Sequence, residues 1–115
     1  DVLPGMTVAR EEIFGPVLSI FSARDEDEAV RLANDTSYGL AAYVSSSSRE
    51  SAARISRRLR AGTVVINGGP KSSSAPSGGY RQSGNGRQNG RFGLQDYLEV
   101  KAIHGMAEFS REVSL

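Results

Sequence analysis

Two acidic residues, an aromatic residue and a tight turn follow one another near the start of the sequence, in EEIFGPV (residues 11–17). A carboxylate has two oxygens that can each accept a hydrogen bond from a hydroxyl group. Glu11 or Glu12 together with Phe14 would therefore suit a ligand that carries a sugar diol beside a planar ring. On residue types alone, the interpretation that these residues bind no ligand is stronger, because adjacent glutamates are usually solvated and a phenylalanine usually belongs to the core.

A second candidate is the basic, glycine-rich stretch YRQSGNGR (residues 80–87). It belongs to a longer segment, residues 68–91, in which Tyr80 is the only large apolar side chain. Arginine, a flexible backbone and a stacking ring suit single-stranded RNA, but one aromatic residue is few for a stacking platform. The alternative is a loop packed against the rest of a larger protein. Its sequence GNGRQNG (residues 84–90) lacks the glycine spacing of a dinucleotide fingerprint and follows a loop, so we reject it as a phosphate site.

The composition argues against several classes of function. The chain has no cysteine and a single histidine, His104, which leaves no thiol nucleophile and no imidazole cluster for a metal. A net charge of +1 creates no field that attracts nucleic acid or an anionic membrane, and no apolar run is long enough to cross a bilayer. The first residues show no secretory leader. We therefore expect a cytoplasmic protein that binds no metal, nucleic acid or membrane.

The elements that would position these residues begin with a strand and a helix. Residues 17–21 are short, β-prone and bounded by turn residues, which predicts a strand. Asp25 and Glu28 have the spacing of a capping box at the start of a helix. Gly39 can end that helix in the left-handed conformation.

The same pattern then repeats. Residues 40–44 predict a second strand, and Ser47 with Glu50 predicts a second capped helix. Residues 63–66 are apolar throughout, which is typical of a strand buried on both faces. Strands and helices that alternate through short links predict an α/β fold with one parallel βαβαβ unit.

The sequence changes character after Asn67. Residues 68–91 cannot bury enough apolar area to offset their own ordering entropy, so we expect them to be disordered or ordered by other surfaces. A short helix is predicted at residues 92–97. Residues 98–103 alternate apolar and charged side chains, which predicts a half-exposed strand that needs a sheet edge elsewhere.

Five motifs in order together resemble the aldehyde dehydrogenase family. The resemblance covers residues 1–104, and the ordered set is far more specific than any motif alone. The motifs are EEIFGPV (residues 11–17), NDTSYGLAA (34–42), GTVVIN (62–67), GGYRQSGNGR (78–87) and YLEVK (97–101).

The resemblance implies a C-terminal piece of a longer enzyme that oxidises an aldehyde to a carboxylic acid with NAD or NADP. The family's nucleophilic cysteine, oxyanion-hole asparagine, general-base glutamate and Rossmann domain would lie before Asp1, so the chain by itself is expected to be inactive. By the family's pattern, Glu12 holds the ribose hydroxyls next to the nicotinamide and Phe14 packs beside that ring.

The resemblance also divides the chain into three parts. Residues 1–67 would end a catalytic domain, residues 68–79 would form a substrate-entrance loop, and residues 80–115 would form an oligomerisation arm and tail. The entrance would involve Asn67, Gly68 and Ser77. The arm would extend a neighbouring subunit's sheet in a homo-oligomer, through Tyr97, Leu98, Val100 and Ala102.

Two residues depart from the family's pattern. Many members have phenylalanine where this chain has Ser77, so an aromatic wall of the substrate tunnel is absent and a bulkier or more polar aldehyde is expected. Many have glutamate where this chain has Gln88, which cannot carry a proton in a relay. Two other functions stay open: a non-enzymatic association module and, more distantly, RNA binding by the basic loop.

Overall fold

Two helices alternate with two strands in the centre of the chain. The computed structural model describes residues 2–105. Helix α1 spans Glu26–Asn34, strand β1 Ala41–Val44, helix α2 Arg49–Arg58, strand β2 Thr63–Ile66 and helix α3 Gly90–Gln95, with single 3-10 turns at Thr7–Ala9 and Arg81–Ser83. The predicted α/β class is confirmed. Within residues 2–105, none of the helices has the length and apolarity needed to cross a bilayer.

Helix α1 begins where the capping pattern places it. The Asp25 carboxylate accepts a hydrogen bond from the backbone N–H of Glu28 at 2.8 Å, which satisfies a donor that the helix leaves free at its start. The Glu28 carboxylate in turn accepts from Arg24 at 2.9 Å and from Arg31 at 3.3 Å. These bonds, with Arg24 contributing most, lower the pKa of Glu28 to about 2.

Helix α1 ends at Asn34, so the expectation that Gly39 ends it is wrong. The Asn34 side chain donates to the Arg58 carbonyl oxygen at 2.9 Å and accepts from the backbone N–H of Arg60 at 2.7 Å. These two bonds join the end of α1 to the end of α2. Gly39 is required for a different reason, because a Cβ there would lie 2.8 Å from the Arg60 carbonyl oxygen.

Helix α2 begins one residue later than predicted. The side chain of Ser48, rather than Ser47, accepts from the backbone N–H of Ser51 at 3.2 Å. The acidic first turn of α1 faces the basic side of α2. Glu26 pairs with Arg54, and Asp27 pairs with Arg58 at 2.6 Å. Opposite charges therefore hold the two helices side by side.

Strands β1 and β2 form a parallel pair in which Ala41 lies opposite Thr63 and Val44 opposite Ile66. The core is small and lies where α1 and α2 meet this pair. Its buried apolar residues are Val30, Val44, Ala52 and Val65. Few side chains are buried, so much of the stability of the described residues must come from backbone and polar contacts.

The strand predicted at residues 17–21 is not formed in the described residues. The segment is extended, and its one backbone hydrogen bond to another segment joins the Val2 N–H to the Ile20 carbonyl oxygen at 3.0 Å. Leu18 is 83% exposed. The residue types favour a strand, but a strand also needs a neighbour with free backbone groups. The predicted βαβαβ unit therefore has two of its three strands here.

The strand predicted at residues 98–103 is also absent from the described part of the chain. Val100 is 95% exposed and Ile103 is 69% exposed. The prediction already required a sheet edge elsewhere, and residues 2–105 offer none. The short helix predicted just before it is confirmed as α3, two residues earlier in the sequence.

Candidate functional site

The EEIFGP segment (residues 11–16) follows Arg10, whose side chain is hydrogen-bonded to other parts of the fold. The Arg10 guanidinium donates to the Pro4 and Asp35 carbonyl oxygens, both at 3.0 Å, and pairs with the Asp35 carboxylate at 2.7 Å. The hydrogen bond and the positive charge of Arg10 lower the pKa of Asp35. Because Asp35 follows α1 directly, Arg10 joins the segment to the end of that helix.

Phe14 has an unusual backbone and an exposed ring. Its φ is +55°, and its side chain is 92% exposed. The left-handed conformation costs a residue other than glycine roughly 1–2 kcal/mol, and strained residues of this kind cluster at functional sites. The core position that residue type alone favours for Phe14 is wrong. The ring lies on the surface, where a flat ligand can reach it.

Glu12 and Phe14 line one shallow recess of about 340 Å³. Carboxylates, an exposed ring and apolar side chains therefore face the same space. Ser19 closes one side, with its hydroxyl donating to the Val8 carbonyl oxygen at 3.2 Å. The recess is lined by Val8, Glu11, Glu12, Ile13, Phe14, Gly15, Val17 and Ser19.

Asn67 fixes the exit of β2. Its side-chain oxygen accepts from the Ser46 N–H, and its side-chain nitrogen donates to the Ser46 carbonyl oxygen, both at 2.9 Å. Asn67 and Gly68 have φ of +48° and +66°, and the Gly69 N–H closes the turn on the Ile66 carbonyl oxygen at 2.9 Å. This turn sends the chain away from the sheet into the predicted entrance loop.

A second recess of about 410 Å³ lies between β2 and the loop. Ser77 lines it, whereas Asn67 and Gly68 form the turn beside it and are not among its lining residues. Lys71 and Asn89 also line it, although neither was predicted as a site residue. Among the described residues the two recesses share no lining residue. The sequence signal for Lys71 was present, since it is the first cation of a segment without acids.

The loop is closed by a short antiparallel pairing. The Ser77 N–H donates to the Gln88 carbonyl oxygen at 2.8 Å, and the Gln88 N–H donates to the Ser77 carbonyl oxygen at 2.7 Å. Gln88 thus has a backbone role that does not depend on its side chain. Its departure from the family's glutamate leaves this pairing intact.

Residues 78–88, named here the docked segment, are ordered by polar contacts with the α/β core. The Arg81 guanidinium donates to the carbonyl oxygens of Asn34, at 2.8 Å, and Thr36. The Tyr80 N–H donates to the Gly39 carbonyl oxygen at 2.9 Å. The absence of apolar side chains made disorder one expectation for this segment. Backbone carbonyl oxygens at the end of α1 and just after it accept these hydrogen bonds, and the number of apolar side chains in the segment does not predict them.

The Tyr80 ring lies between two guanidinium groups of the same chain. Arg60 lies 5.9 Å and Arg87 5.3 Å from the ring centre, which is within the range of cation–π attraction. Arg87 also donates to the carbonyl oxygens of Gly79 at 2.9 Å and Gly86 at 2.8 Å. Of the groups proposed for RNA stacking, the Tyr80 ring and the Arg87 guanidinium are therefore engaged with each other.

The residues predicted for subunit contact are all exposed in the single chain. Tyr97 is 85% and Leu98 is 56% exposed, and Val100 is nearly fully exposed. An apolar row of this kind on the surface is typical of a segment that is covered in an assembly. The exposed residues are Tyr97, Leu98, Val100, Ala102 and Ile103.

The sequence of residues 1–103 matches the model of the aldehyde dehydrogenase family. The chain belongs to the aldehyde dehydrogenase family. Among curated aldehyde dehydrogenases, it is 53% identical over 100 residues to 3-succinoylsemialdehyde-pyridine dehydrogenase of a Pseudomonas species, covering 87% of this chain and 21% of that protein. A Staphylococcus saprophyticus protein described as a putative aldehyde dehydrogenase is 50% identical over the same coverage.

Solved aldehyde dehydrogenases show the same fold. Aldehyde dehydrogenase C of Pseudomonas syringae, a mutant solved with NAD+ and octanal, is 50% identical with a TM-score of 0.84, covering 90% of this chain and 21% of that one. An NAD-dependent aldehyde dehydrogenase of Sinorhizobium meliloti is 48% identical with a TM-score of 0.82, covering 87% and 20%. The chain thus spans about a fifth of the length of these aldehyde dehydrogenases.

Proposed function

We propose that this chain is the C-terminal part of an enzyme that oxidises an aldehyde to a carboxylic acid with NAD or NADP. Its residues would contribute to the cofactor site, the substrate entrance and the subunit contact. The observation that carries the proposal is the recess shared by Glu12 and the exposed, left-handed Phe14. A solved relative that contains both NAD+ and an aldehyde supports it.

The chemistry of this recess fits the nicotinamide half of such a cofactor. The Glu12 carboxylate would accept hydrogen bonds from two neighbouring ribose hydroxyls, because each of its oxygens is an acceptor. The Phe14 ring would pack beside the nicotinamide and hold its orientation. The cofactor supplies the hydride acceptor, while these two residues bind and orient it.

The entrance loop would select the aldehyde. Asn67 and Gly68 fix the direction in which the loop leaves β2, and Ser77 faces the recess that the loop covers. With a hydroxyl at Ser77 in place of an aromatic ring, the recess favours a bulkier or more polar aldehyde. The 115 residues contain no cysteine, so the thiol nucleophile of the reaction would come from outside them.

Comparing two adjacent glutamates tests the cofactor role. In the full-length protein that contains this chain, Glu12→Gln should raise KM for the cofactor and slow hydride transfer. Losing a charge-assisted hydrogen bond costs roughly 1.5–3 kcal/mol, which corresponds to about a tenfold to hundredfold loss of kcat/KM. Glu11→Gln, at the neighbouring residue of the same recess, is the matched comparison and should change both values less than Glu12→Gln does. Equal kinetics for the two variants would refute the assignment of Glu12.

The exposed arm favours a second candidate, a non-enzymatic association module. The two candidates make different predictions for the same full-length protein. An enzyme would reduce NAD or NADP in the presence of aldehydes, and substitution of Val100 by Lys would weaken assembly. A module would show the same assembly defect without any turnover.

A further inference from the structure

Three asparagines in this sequence are each followed by glycine: Asn67, Asn85 and Asn89. The amide group of an asparagine can react with the backbone nitrogen of the next residue, and glycine exposes that nitrogen because it has no side chain. The sequence places the same reactive dipeptide at all three positions. Their surroundings in the structure differ, and the difference separates one pair from the other two.

We propose that the pair formed by Asn85 and Gly86 is a site of spontaneous deamidation, a covalent modification that goes beyond the proposed function. The Gly86 nitrogen attacks the Cγ carbonyl carbon of Asn85 and forms a new C–N bond. The bond between Cγ and Nδ2 of Asn85 breaks, and the amide nitrogen leaves as ammonia with the proton lost by Gly86. Water then opens the five-membered succinimide at either carbonyl, giving aspartate or isoaspartate.

The Asn67 pair is protected by its hydrogen bonds. Both polar atoms of the Asn67 side chain are bound to the backbone of Ser46, at 2.9 Å each. The Cγ atom must turn towards the Gly68 nitrogen before it can react, and this rotation breaks both bonds. Two hydrogen bonds of ordinary net strength slow such a step about tenfold or more.

The Asn89 pair is restrained through its backbone. The Asn89 carbonyl oxygen accepts from the Gly93 N–H at 3.0 Å, which fixes the start of α3. Gly90 is packed so closely that a Cβ there would lie 2.1 Å from the Ser74 carbonyl oxygen. Closing a succinimide ring at this position would disrupt both the hydrogen bond from Gly93 and the packing of Gly90 against Ser74.

The Asn85 pair is held only through its backbone carbonyl oxygens: both accept from the Arg87 guanidinium, and the Gly86 oxygen lies 2.3 Å from the place of a Cβ on Gly78. Asn85 is exposed, and the hydrogen bond recorded for it in the described part of the chain is accepted by its backbone carbonyl from Arg87 at 3.1 Å. A Cβ on Gly84 would meet nothing within 4 Å, and a Cβ on Gly86 would meet only the Asp96 carboxylate, at 3.7 Å. The Asn85 side chain can therefore turn towards the Gly86 nitrogen without breaking a side-chain hydrogen bond of the kind that holds Asn67, and without meeting a close contact of the kind that surrounds Gly90.

The modification would also change the docked segment. Isoaspartate lengthens the backbone by one carbon atom between positions 85 and 86. The Arg87 guanidinium binds the carbonyl oxygens of both residues, so these oxygens would move relative to it. Aspartate or isoaspartate would add a negative charge beside the same guanidinium.

The test follows the three pairs in the same sample. The purified 115-residue protein is incubated at mildly alkaline pH, digested, and analysed by mass spectrometry with chromatographic separation of isoaspartate. Asn85 should convert about tenfold or more faster than Asn67, with Asn89 also behind Asn85. In urea, where the contacts are lost, the three pairs should convert at similar rates.

A glycine variant supplies the matched control. Gly86→Ala places a methyl group in ordinary contact with the Asp96 carboxylate, at 3.7 Å, and without a positive φ, so it should leave the circular dichroism spectrum unchanged while slowing conversion of Asn85 alone. The proposal is overturned if Asn67 or Asn89 converts as fast as Asn85 in the folded protein. It is also overturned if the ratios between the three rates are the same with and without urea.

Discussion

Replacing Gly62 by alanine should detach the docked segment from the α/β core. A Cβ at this position would lie 1.8 Å from the Gly78 carbonyl oxygen and 2.7 Å from its carbonyl carbon. Ordinary contact begins at 3.4 Å, so Gly78 would have to retreat by about 1.6 Å, the difference between the two distances. Both partners are backbone, which leaves no flexible side chain to absorb the shift.

The cost of that movement follows from the bonds that it breaks. The Tyr80 N–H donates to the Gly39 carbonyl oxygen at 2.9 Å, the Gly39 N–H to the Ser83 hydroxyl at 3.0 Å, and the Gln82 N–H to the Ser37 carbonyl oxygen at 3.1 Å. A displacement of this size takes all three beyond hydrogen-bonding range. At roughly 0.5–1.5 kcal/mol of net stability each, Gly62→Ala should lower the free energy of unfolding by about 1.5–4.5 kcal/mol.

Urea denaturation followed by far-ultraviolet circular dichroism measures this loss, and hydrogen exchange at the Tyr80 amide locates it. Gly5→Ala is the control, because a Cβ there meets nothing within 4 Å, and it should unfold like the original protein. If Gly62→Ala and Gly5→Ala have the same unfolding midpoint and the Tyr80 amide stays protected, the account of the docked segment is wrong.

Three further outcomes are expected. The 115-residue chain alone should show no aldehyde-dependent reduction of NAD or NADP, since it contains no cysteine, and turnover above a blank would contradict this. The pKa of Glu28 is lowered from 4.5 to about 2, so the stabilisation that its carboxylate gives α1 is complete above pH 4.5 and is lost as the pH falls towards 2. An acid titration followed by circular dichroism should therefore show a smaller loss of helix in Glu28→Gln than in the original protein. Superimposable curves would refute the pairing of Glu28 with the arginines. The apolar side chains exposed in residues 98–103 and 17–21 should drive self-association. Light scattering over a dilution series should therefore show a dimer or larger species. A monomer at every concentration would show that these segments need no partner.

The elements whose signals are local were predictable from the sequence. The cap at Asp25 depends on groups only three residues apart, and the apolar run that became β2 was predicted with its observed bounds, Thr63–Ile66. The cap of α2 was misplaced by one residue because Ser47 and Ser48 are chemically the same, and the local backbone selects between them.

The failed predictions depend on partners that are distant in sequence. Residues 17–21 have the composition of a strand, but pairing requires free backbone groups that the described residues do not place beside them. Gly39 was predicted to end α1, but it is instead a point where the backbone passes close to that of Arg60. Arg81 binds the carbonyl oxygens of Asn34 and Thr36, which lie 47 and 45 residues before it in the sequence. No local sequence pattern predicts contacts over this distance.

For the candidate site, the sequence indicated the residue types but not their geometry. Composition favoured a buried Phe14, and its exposed ring shows that this interpretation is wrong. The ligand contact that the resemblance implies stays a prediction. Lys71 and Asn89 were not predicted to share a recess with Ser77, because that recess exists only once the loop is closed by the pairing of Ser77 with Gln88.

The two ends of the entrance loop are anchored independently of its interior. Asn67 binds Ser46 at one end, and Ser77 pairs with Gln88 at the other. Lengthening a flexible loop between fixed ends costs little, since each doubling of length adds only about 0.6 kcal/mol of closure entropy. Insertions and deletions within residues 70–73, between the turn at Gly69 and the contact of Ser74 with Gly90, should therefore be tolerated, while those in residues 77–88 should not. A fold built in this way can exchange one loop for another during evolution without rebuilding the sheet that supports it.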